Sequence, residues 1–306
     1  MKDWKSEALD LHQLGLSGRE IARRLGKGKT TVNDLIAKMY ADIEKPGILN
    51  FGKTVPDSPR ILFIDIETRQ LSLEGFGLFN QNFSLEQIAE DWSILSVSYK
   101  WAGCDEIYYH DVSEMTEDDL LAIVYDRFDE ADFICGHNAK RFDYKKLRAR
   151  WIARGFKPNS PVRVLDTCEI AKTEFGFTSN KLQYLTNLLC KKHKKSGHLK
   201  FPGFMLWREF IRGNPEAIEE MREYNMIDVT SLEELFFILS PWSNKLPNFH
   251  VYDLDMENQW EMTGKFVHTN LGRYDEYRHV VTGQYRRGRQ NLLTTDERRT
   301  LLANIT

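Results

Sequence analysis

Cysteine is scarce: four residues in 306 (Cys104, Cys135, Cys168, Cys190), far apart, with no CxxC pair. Such spacing signals neither a zinc cluster nor a disulfide framework, and a reduced, cytosolic setting is expected. Long apolar runs are missing as well. The longest, such as the Phe-Phe-Ile-Leu of 236–239, fall far short of the ~20 residues that span a bilayer. The opening stretch from Met1 to Glu7 lacks the apolar core of a signal peptide, so no membrane partner is expected. Excess charge is also absent. A net charge of -3 and a pI near 6.3 give no whole-protein field that would gather nucleic acid. What is present suffices for a packed core: 42% of residues are hydrophobic and 28% charged, which excludes a wholly disordered chain. The length suggests about two domains.

Charge is concentrated locally. Arg19, Arg23, Arg24, Lys27 and Lys29 crowd one stretch, and Lys140, Arg141, Lys145, Lys146, Arg148, Arg150, Arg154 and Lys157 another. Lys191-Lys192-His193-Lys194-Lys195 and Arg286-Arg287-Gly288-Arg289 complete the set. Each run by itself reads as a solvated face. Four together suggest a segregated surface that could track phosphates.

The first 45 residues read as three short helices. Trp4, Ala8, Leu9, Leu11 and Leu14 recur at roughly helical spacing and stop at Gly15. Ser17-Gly18-Arg19-Glu20 has the capping-box form and opens a helix with Ile21, Ala22 and Leu25 on one side. Gly26-Lys27-Gly28-Lys29 makes a tight turn, and Thr31-Val32-Asn33-Asp34 caps a third helix bearing Val32, Leu35, Ile36 and Met39. This order resembles the helix-turn-helix of site-specific recombinases and phage regulators. It implies DNA contacts from Lys27, Lys29, Thr30, Thr31 and Asn33; a three-helix module for protein contacts or packing is the other reading. Residues 46–59, with three prolines and two glycines, read as a linker.

From Arg60 the pattern becomes α/β. Strands are expected at 61–67, 93–101, 106–110, 132–135 and 162–165, with 106–110 pairing back on 93–101. Helices are expected at 116–128, 141–154 and 181–190, and a long one from Asn214 as N-cap and Pro215 at N1 to Ser240-Pro241. That order implies a mixed sheet flanked by helices.

Acids interrupt this frame at telling places. Asp65 and Glu67 lie inside the apolar run Ile61-Leu62-Phe63-Ile64, and on a strand i and i+2 face the same way, ~7 Å apart. Two buried carboxylates on one face repel unless a cation joins them. Asp143 closes Asn138-Ala139-Lys140-Arg141-Phe142-Asp143 at a helix N-terminus, where the dipole stabilises its charge. Tyr224 and Asp228 are i, i+4 neighbours on the last helix; singly they read as a half-buried tyrosine beside a solvated acid.

Taken in order, DxE, NxxxFD and YxxxD match the three motifs of the DEDD exonuclease superfamily, with the tyrosine of its DEDDy branch. Residues 60–243 thus resemble a ribonuclease H-like domain, similar to the proofreading domain of family B DNA polymerases and to stand-alone bacteriophage exonucleases. Gly136-His137-Asn138, Leu165-Asp166-Thr167, Thr178-Ser179-Asn180-Lys181-Leu182 and Glu223-Tyr224-Asn225 add to that likeness. The resemblance implies 3'-to-5' hydrolysis of phosphodiesters, DNA ahead of RNA, with two divalent cations. By motif, Asp65, Glu67 and Asp228 hold the first cation, Asp65 bridges to the second with Asp143, and Tyr224 orients the attacking water. All-oxygen ligands imply Mg²⁺ or Mn²⁺. Asn138 and Phe142 would meet the terminal nucleotide, with Lys140 and Arg141 beside them, although Phe142 reads equally as core. Asp166 reads as an N-cap rather than a fifth ligand, and His137 as structural.

Residues 244–306 resemble a basic, degenerate zinc ribbon whose cysteine pairs are replaced by Tyr252 and Asp255 and by His279 and Thr282, so no zinc is expected. Its arginines and tyrosines suit a nucleic-acid strand, and a packed β-appendage is the alternative. No polymerase-sized region is present, so proofreading would act in trans, beside a replication or recombination protein. Rival readings are an RNA-trimming exonuclease, a DDE transposase and a non-catalytic DNA-binding regulator. DDE enzymes do not place a tyrosine four residues before the last acid.

Overall fold

The computed structural model describes residues 4–13, 16–33, 35, 59–77, 82–193, 200–247, 249 and 259–302. Residues 46–58 of the linker expected over 46–59 lie outside them, as do Leu14, Gly15, Asp34, Ile36, Met39, Lys194, Lys195, Tyr252 and Asp255.

The strand β1 (Ile61–Thr68) is rich in β-branched and aromatic residues that favour an extended chain, and it occupies the centre of the main sheet. On one side, β4 (Ile94–Trp101) runs antiparallel to it, and β5 (Tyr108–Asp111) antiparallel to β4. On the other, β6 (Phe133–Gly136) is parallel to β1, and β7 (Arg163–Asp166) parallel to β6. The resulting order, β5-β4-β1-β6-β7, is a mixed five-stranded sheet, as the order of strands and helices in the sequence implies. Between β1 and β4, residues 69–92 hold a small hairpin of β2 (Ser72–Leu73) and β3 (Ile88–Glu90) that the sequence pattern does not signal.

Helices cover both faces, and the alternation of β1 decides what each face packs. Leu62, Ile64 and Ile66 turn toward α4 (Glu117–Glu130) and α5 (Asp143–Ala153), where they bury against Leu120, Val124, Phe128, Leu147 and Trp151. Ile61 and Phe63 turn the opposite way, toward α9 (Pro215–Leu239), with α6 (Thr167–Glu174) and α7 (Leu182–Leu189) beside it. There Phe63 meets Phe236 edge-on at 5.7 Å, each ring contributing ~1.5–3 kcal/mol by burial. The cap at Asn214, whose side chain accepts from the Glu216 amide at 3.1 Å, and Pro215 at N1 start α9 where expected. Its 25 residues span about 37 Å, so one helix packs the core and also reaches the sheet's other end. A short helix, α8 (Met205–Ile211), precedes it without any sequence expectation.

The N-terminal helices α1 (Trp4–Gln13), α2 (Gly18–Leu25) and α3 (described over 29–33) enclose a separate small core of Ala8, Ile21, Ala22 and Val32. Gly26 closes α2 in the left-handed conformation at φ 60°. The third helix opens at residue 29, not with a cap at 31–34, because the Val32 amide already bonds the Gly28 carbonyl at 3.1 Å. Ser17 caps α2 through the Glu20 amide and also donates to Asp126; Arg19 donates to Asp129 at 2.6 Å. The start of α2 therefore leans on the acidic end of α4.

The C-terminal region forms an antiparallel sheet of β8 (Trp260–Thr269), β9 (Gly272–His279) and β10 (Tyr285–Arg287), followed by α10 (Thr295–Thr300). Buried His279 stands where the resemblance puts a lost cysteine. Its Nδ1 accepts the amides of Val281 and Thr282 at 3.3 and 3.1 Å, which assigns the proton of a neutral ring to Nε2, 3.1 Å from Gln259 Oε1. The imidazole thus closes the turn. Replacing His279 with Ala leaves both amides without their acceptor, at a local cost of about 1–3 kcal/mol. Hydrogen exchange at Val281 and Thr282 should accelerate by about tenfold or more, with β1 amides unchanged.

Candidate active site

The alternation that turns Phe63 toward α9 turns Asp65 and Glu67 the same way, opposite Ser98 and Ser96 of β4 in the strand register. α9 crosses this face and delivers Asp228, only 2% exposed. One oxygen from each of Asp65, Glu67 and Asp228 lies within 4.8 Å of the others. Two like charges 4 Å apart repel by about 4 kcal/mol at an effective dielectric of 20, so three carboxylates at this spacing suit a multivalent cation. A donor set made wholly of carboxylate oxygen fits a hard divalent ion.

Two donors absent from the sequence expectations hold these acids. Buried Asn225 donates from Nδ2 to Asp65 Oδ2 at 2.6 Å, while its Oδ1 accepts from Ser96 Oγ at 3.2 Å. The available signal was an amide three residues before Asp228, hence on the same helical face. Trp207 of α8 donates from Nε1 to Glu67 Oε2 at 2.9 Å. No periodicity or motif marks it.

Asp143 begins α5 and lies beside the three-carboxylate group without belonging to it. β6 pairs with β1 only as far as Phe63, and farther along β1 the Ile66 amide donates instead to Asp143 Oδ1 at 3.2 Å. Burial pushes the Asp143 carboxyl up to about 7; the charges of Asp166 and Asp228 push the same way, against the two backbone amides it accepts. Half-buried Tyr224 sits one turn before Asp228, its ring edge-on to Trp207 at 6.1 Å.

The loop into Asp143 is held by Asp166. That carboxylate caps α6 through the Cys168 and Glu169 amides at 3.0 and 3.2 Å, and also binds the amides of Asn138 at 2.8 Å and Lys140 at 3.1 Å. Asn138 takes a left-handed φ of 65°, which asparagine tolerates. A side chain on Gly136 would come 2.5 Å from Ala139 Cβ, so the close turn requires glycine. Phe142 is 38% exposed and is not core, and Arg141 is exposed beside it. Lys140 pairs with Glu169. His137 bridges Thr167 Oγ1 and the Asn180 carbonyl at 2.9 and 2.8 Å, a structural tie with definite partners.

Part of the basic run on and after α5 is engaged within the fold. Lys146 and Arg150 lie over Trp92 at 3.6 and 5.4 Å, and Arg150 and Arg154 bond Glu117 at 2.8 and 3.0 Å. Lys27 is exposed on the turn between α2 and α3, while Lys29, Thr30 and Thr31, exposed, and Asn33, half-buried, lie on α3 itself.

The raised Asp143 carboxyl sets a direction in pH. Because its folded value exceeds the unfolded one, the folded protein keeps a proton that the unfolded chain releases from about pH 4 upward. In chelator, stability should therefore fall between about pH 4 and pH 7 through this group, and the Asp143→Asn difference in chemical denaturation should flatten that decline. A decline identical in both proteins contradicts the assignment.

Comparison with known proteins locates this arrangement. No curated protein matches the chain. Among solved structures, the family B DNA polymerase from the hyperthermophilic archaeon Pyrobaculum calidifontis is similar at a TM-score of 0.44 and 19% identity. That match covers 65% of this chain and 26% of the polymerase, so the chain spans about a quarter of that protein's length. The family description of the RNase H superfamily matches residues 62–240, which run from the start of β1 to the end of α9. Since that stretch is more than half of the sequence and carries every acid described above, the chain belongs to the RNase H superfamily.

Proposed function

We propose that this protein is a metal-dependent 3'-to-5' exonuclease, acting on DNA ahead of RNA. The observation that carries the reading is the convergence of Asp65 and Glu67 from β1 with Asp228 from α9 on one face, with Asp143 and Tyr224 beside them. Asp65, Glu67 and Asp228 would hold one divalent cation, Mg²⁺ or Mn²⁺, and Asp65 with Asp143 a second. Bound there, the pair supplies a hydroxide nucleophile near neutral pH and neutralises charge on the leaving oxygen.

The chain's own groups then have separate tasks. The Tyr224 hydroxyl orients the water that attacks the terminal phosphodiester. The exposed ring of Phe142 stacks on the terminal base, a contact of ~1–3 kcal/mol in single-strand recognition, while Asn138 hydrogen-bonds the same nucleotide. Lys140 and Arg141 face its phosphates. We assign this chemistry to residues 60–243, a helix-turn-helix to 1–45 joined by a linker at 46–59, and a basic ribbon to 244–306. Lys27, Lys29, Thr30, Thr31 and Asn33 would contact duplex DNA, which favours DNA over RNA because the A-form major groove admits no helix. Any proofreading would be in trans, with a replication or recombination protein.

Purified protein with 5'-labelled single strands and Mg²⁺ should give a ladder shortening from the 3' end, faster on DNA, and abolished by EDTA or by Asp65→Ala with Glu67→Ala. Intact DNA and RNA in every lane, with binding retained, would overturn the nuclease reading in favour of a DNA-binding regulator. Lys27→Ala with Lys29→Ala should weaken duplex binding and reduce the slope of log affinity against log salt by about 1–2, sparing cleavage of short single strands. An unchanged slope removes the DNA role of that turn.

A further inference from the structure

We propose that Trp207 is a positioning residue for the acidic centre, holding Glu67 by its indole N–H and Tyr224 by its ring edge. The inference rests on the metal-dependent nuclease reading and adds a residue from outside its motifs.

Leu206 and Phe210 bury against Ala217 and Met221 of α9 and Leu95 of β4, so α8 is packed firmly onto the sheet. Trp207, next along that helix, is half-buried and directed at the acids. An indole N–H is a donor only, so its partner must be an acceptor. Here the partner is Glu67 Oε2 at 2.9 Å. A glutamate carries three side-chain torsions, and one firm bond to one oxygen restricts them and so fixes where the carboxylate sits. Outer hydrogen-bond partners that orient a ligating group in this way typically change metal affinity or activity by 10–100-fold when removed.

The same ring stands edge-on to Tyr224, with centroids 6.1 Å apart and planes at 78°. One side chain from α8 thus touches a carboxylate of β1 and a tyrosine of α9. Asp65 is held from another direction, by Asn225. The two strand acids therefore have independent supports, and removing one should leave the other in place.

Two variants separate the two contacts. Trp207→Phe keeps an aromatic edge toward Tyr224 and loses the N–H. Trp207→Ala loses both. Calorimetric titration with Mn²⁺ should show 10–100-fold weaker binding by Trp207→Phe, with a metal-free melting temperature close to that of the starting protein. Trp207→Ala should lower kcat further at saturating metal.

A second readout needs no activity. The seven tryptophans give seven indole resonances in ¹⁵N-labelled protein, and the one missing from Trp207→Phe is that of Trp207. It should shift on addition of Mg²⁺, and also in metal-free Glu67→Ala. If the Phe variant does not fold, Trp207→Tyr assigns the resonance instead. Mn²⁺ affinity equal to the unmodified protein's, or a Trp207 resonance unmoved by saturating Mg²⁺, overturns the inference alone. Failure of the unmodified protein to bind Mn²⁺ or Mg²⁺ overturns both it and the nuclease reading.

Discussion

Mutual repulsion among Asp65, Glu67 and Asp228 is the constraint around which the rest of the structure is arranged. One oxygen from each lies within 4.8 Å of the others, at the end of a β1–α9 interface whose far side is apolar. Left to themselves they would move apart. They are held by the packing next to them, before them on β1 and after Asp228 on α9, where Ile61 and Phe63 bury against Val229, Leu232 and Phe236. Hydrophobic contact along one length of the interface thus offsets charge repulsion at its end, and a bound cation would relieve the remainder.

Around this centre the fold supplies donors that do not titrate in the neutral range. The amide of Asn225 faces Asp65, the indole of Trp207 faces Glu67, and the backbone N–H of Ile66 faces Asp143. Each fixes one carboxylate oxygen. Asp143 differs in opening a helix, as the first residue of α5. Burial is the main reason its carboxyl stands near neutrality, with the neighbouring Asp166 and Asp228 adding to the effect. Asp166 acts at a distance: four backbone amides converge on it, and through them it shapes the turn from which Asn138, Phe142 and Asp143 emerge.

The peripheral parts use polar contacts in place of large cores. The N-terminal helices rest on α4 through Ser17 and Arg19, which leaves the basic turn after Gly26 exposed. The C-terminal sheet is closed at one corner by the neutral ring of His279. At this turn an imidazole nitrogen accepts two amides.

What could be read from the sequence alone was whatever is encoded by period and cap. Alternation in Ile61–Thr68 put Asp65 and Glu67 on one face; the Asn214-Pro215 start and the Ser240-Pro241 stop bounded the last helix and set Tyr224 one turn before Asp228. Those are local properties, fixed by side-chain spacing over a few residues. The mixed sheet followed from the order of strands and helices. The third N-terminal helix starts earlier than its side-chain caps suggest, because a glycine-bounded turn can be closed by the backbone of Gly28 as well as by a side chain. Tertiary structure alone decided that the acid-bearing face of β1 meets α9, that Asn225 and Trp207 supply the opposing donors, and that Phe142 lies outside the core. Trp207 belongs to a seven-residue helix too short for a clear apolar period, and its partner is 140 residues away. A bond of that kind exists only once two elements have packed, so no local pattern can carry it.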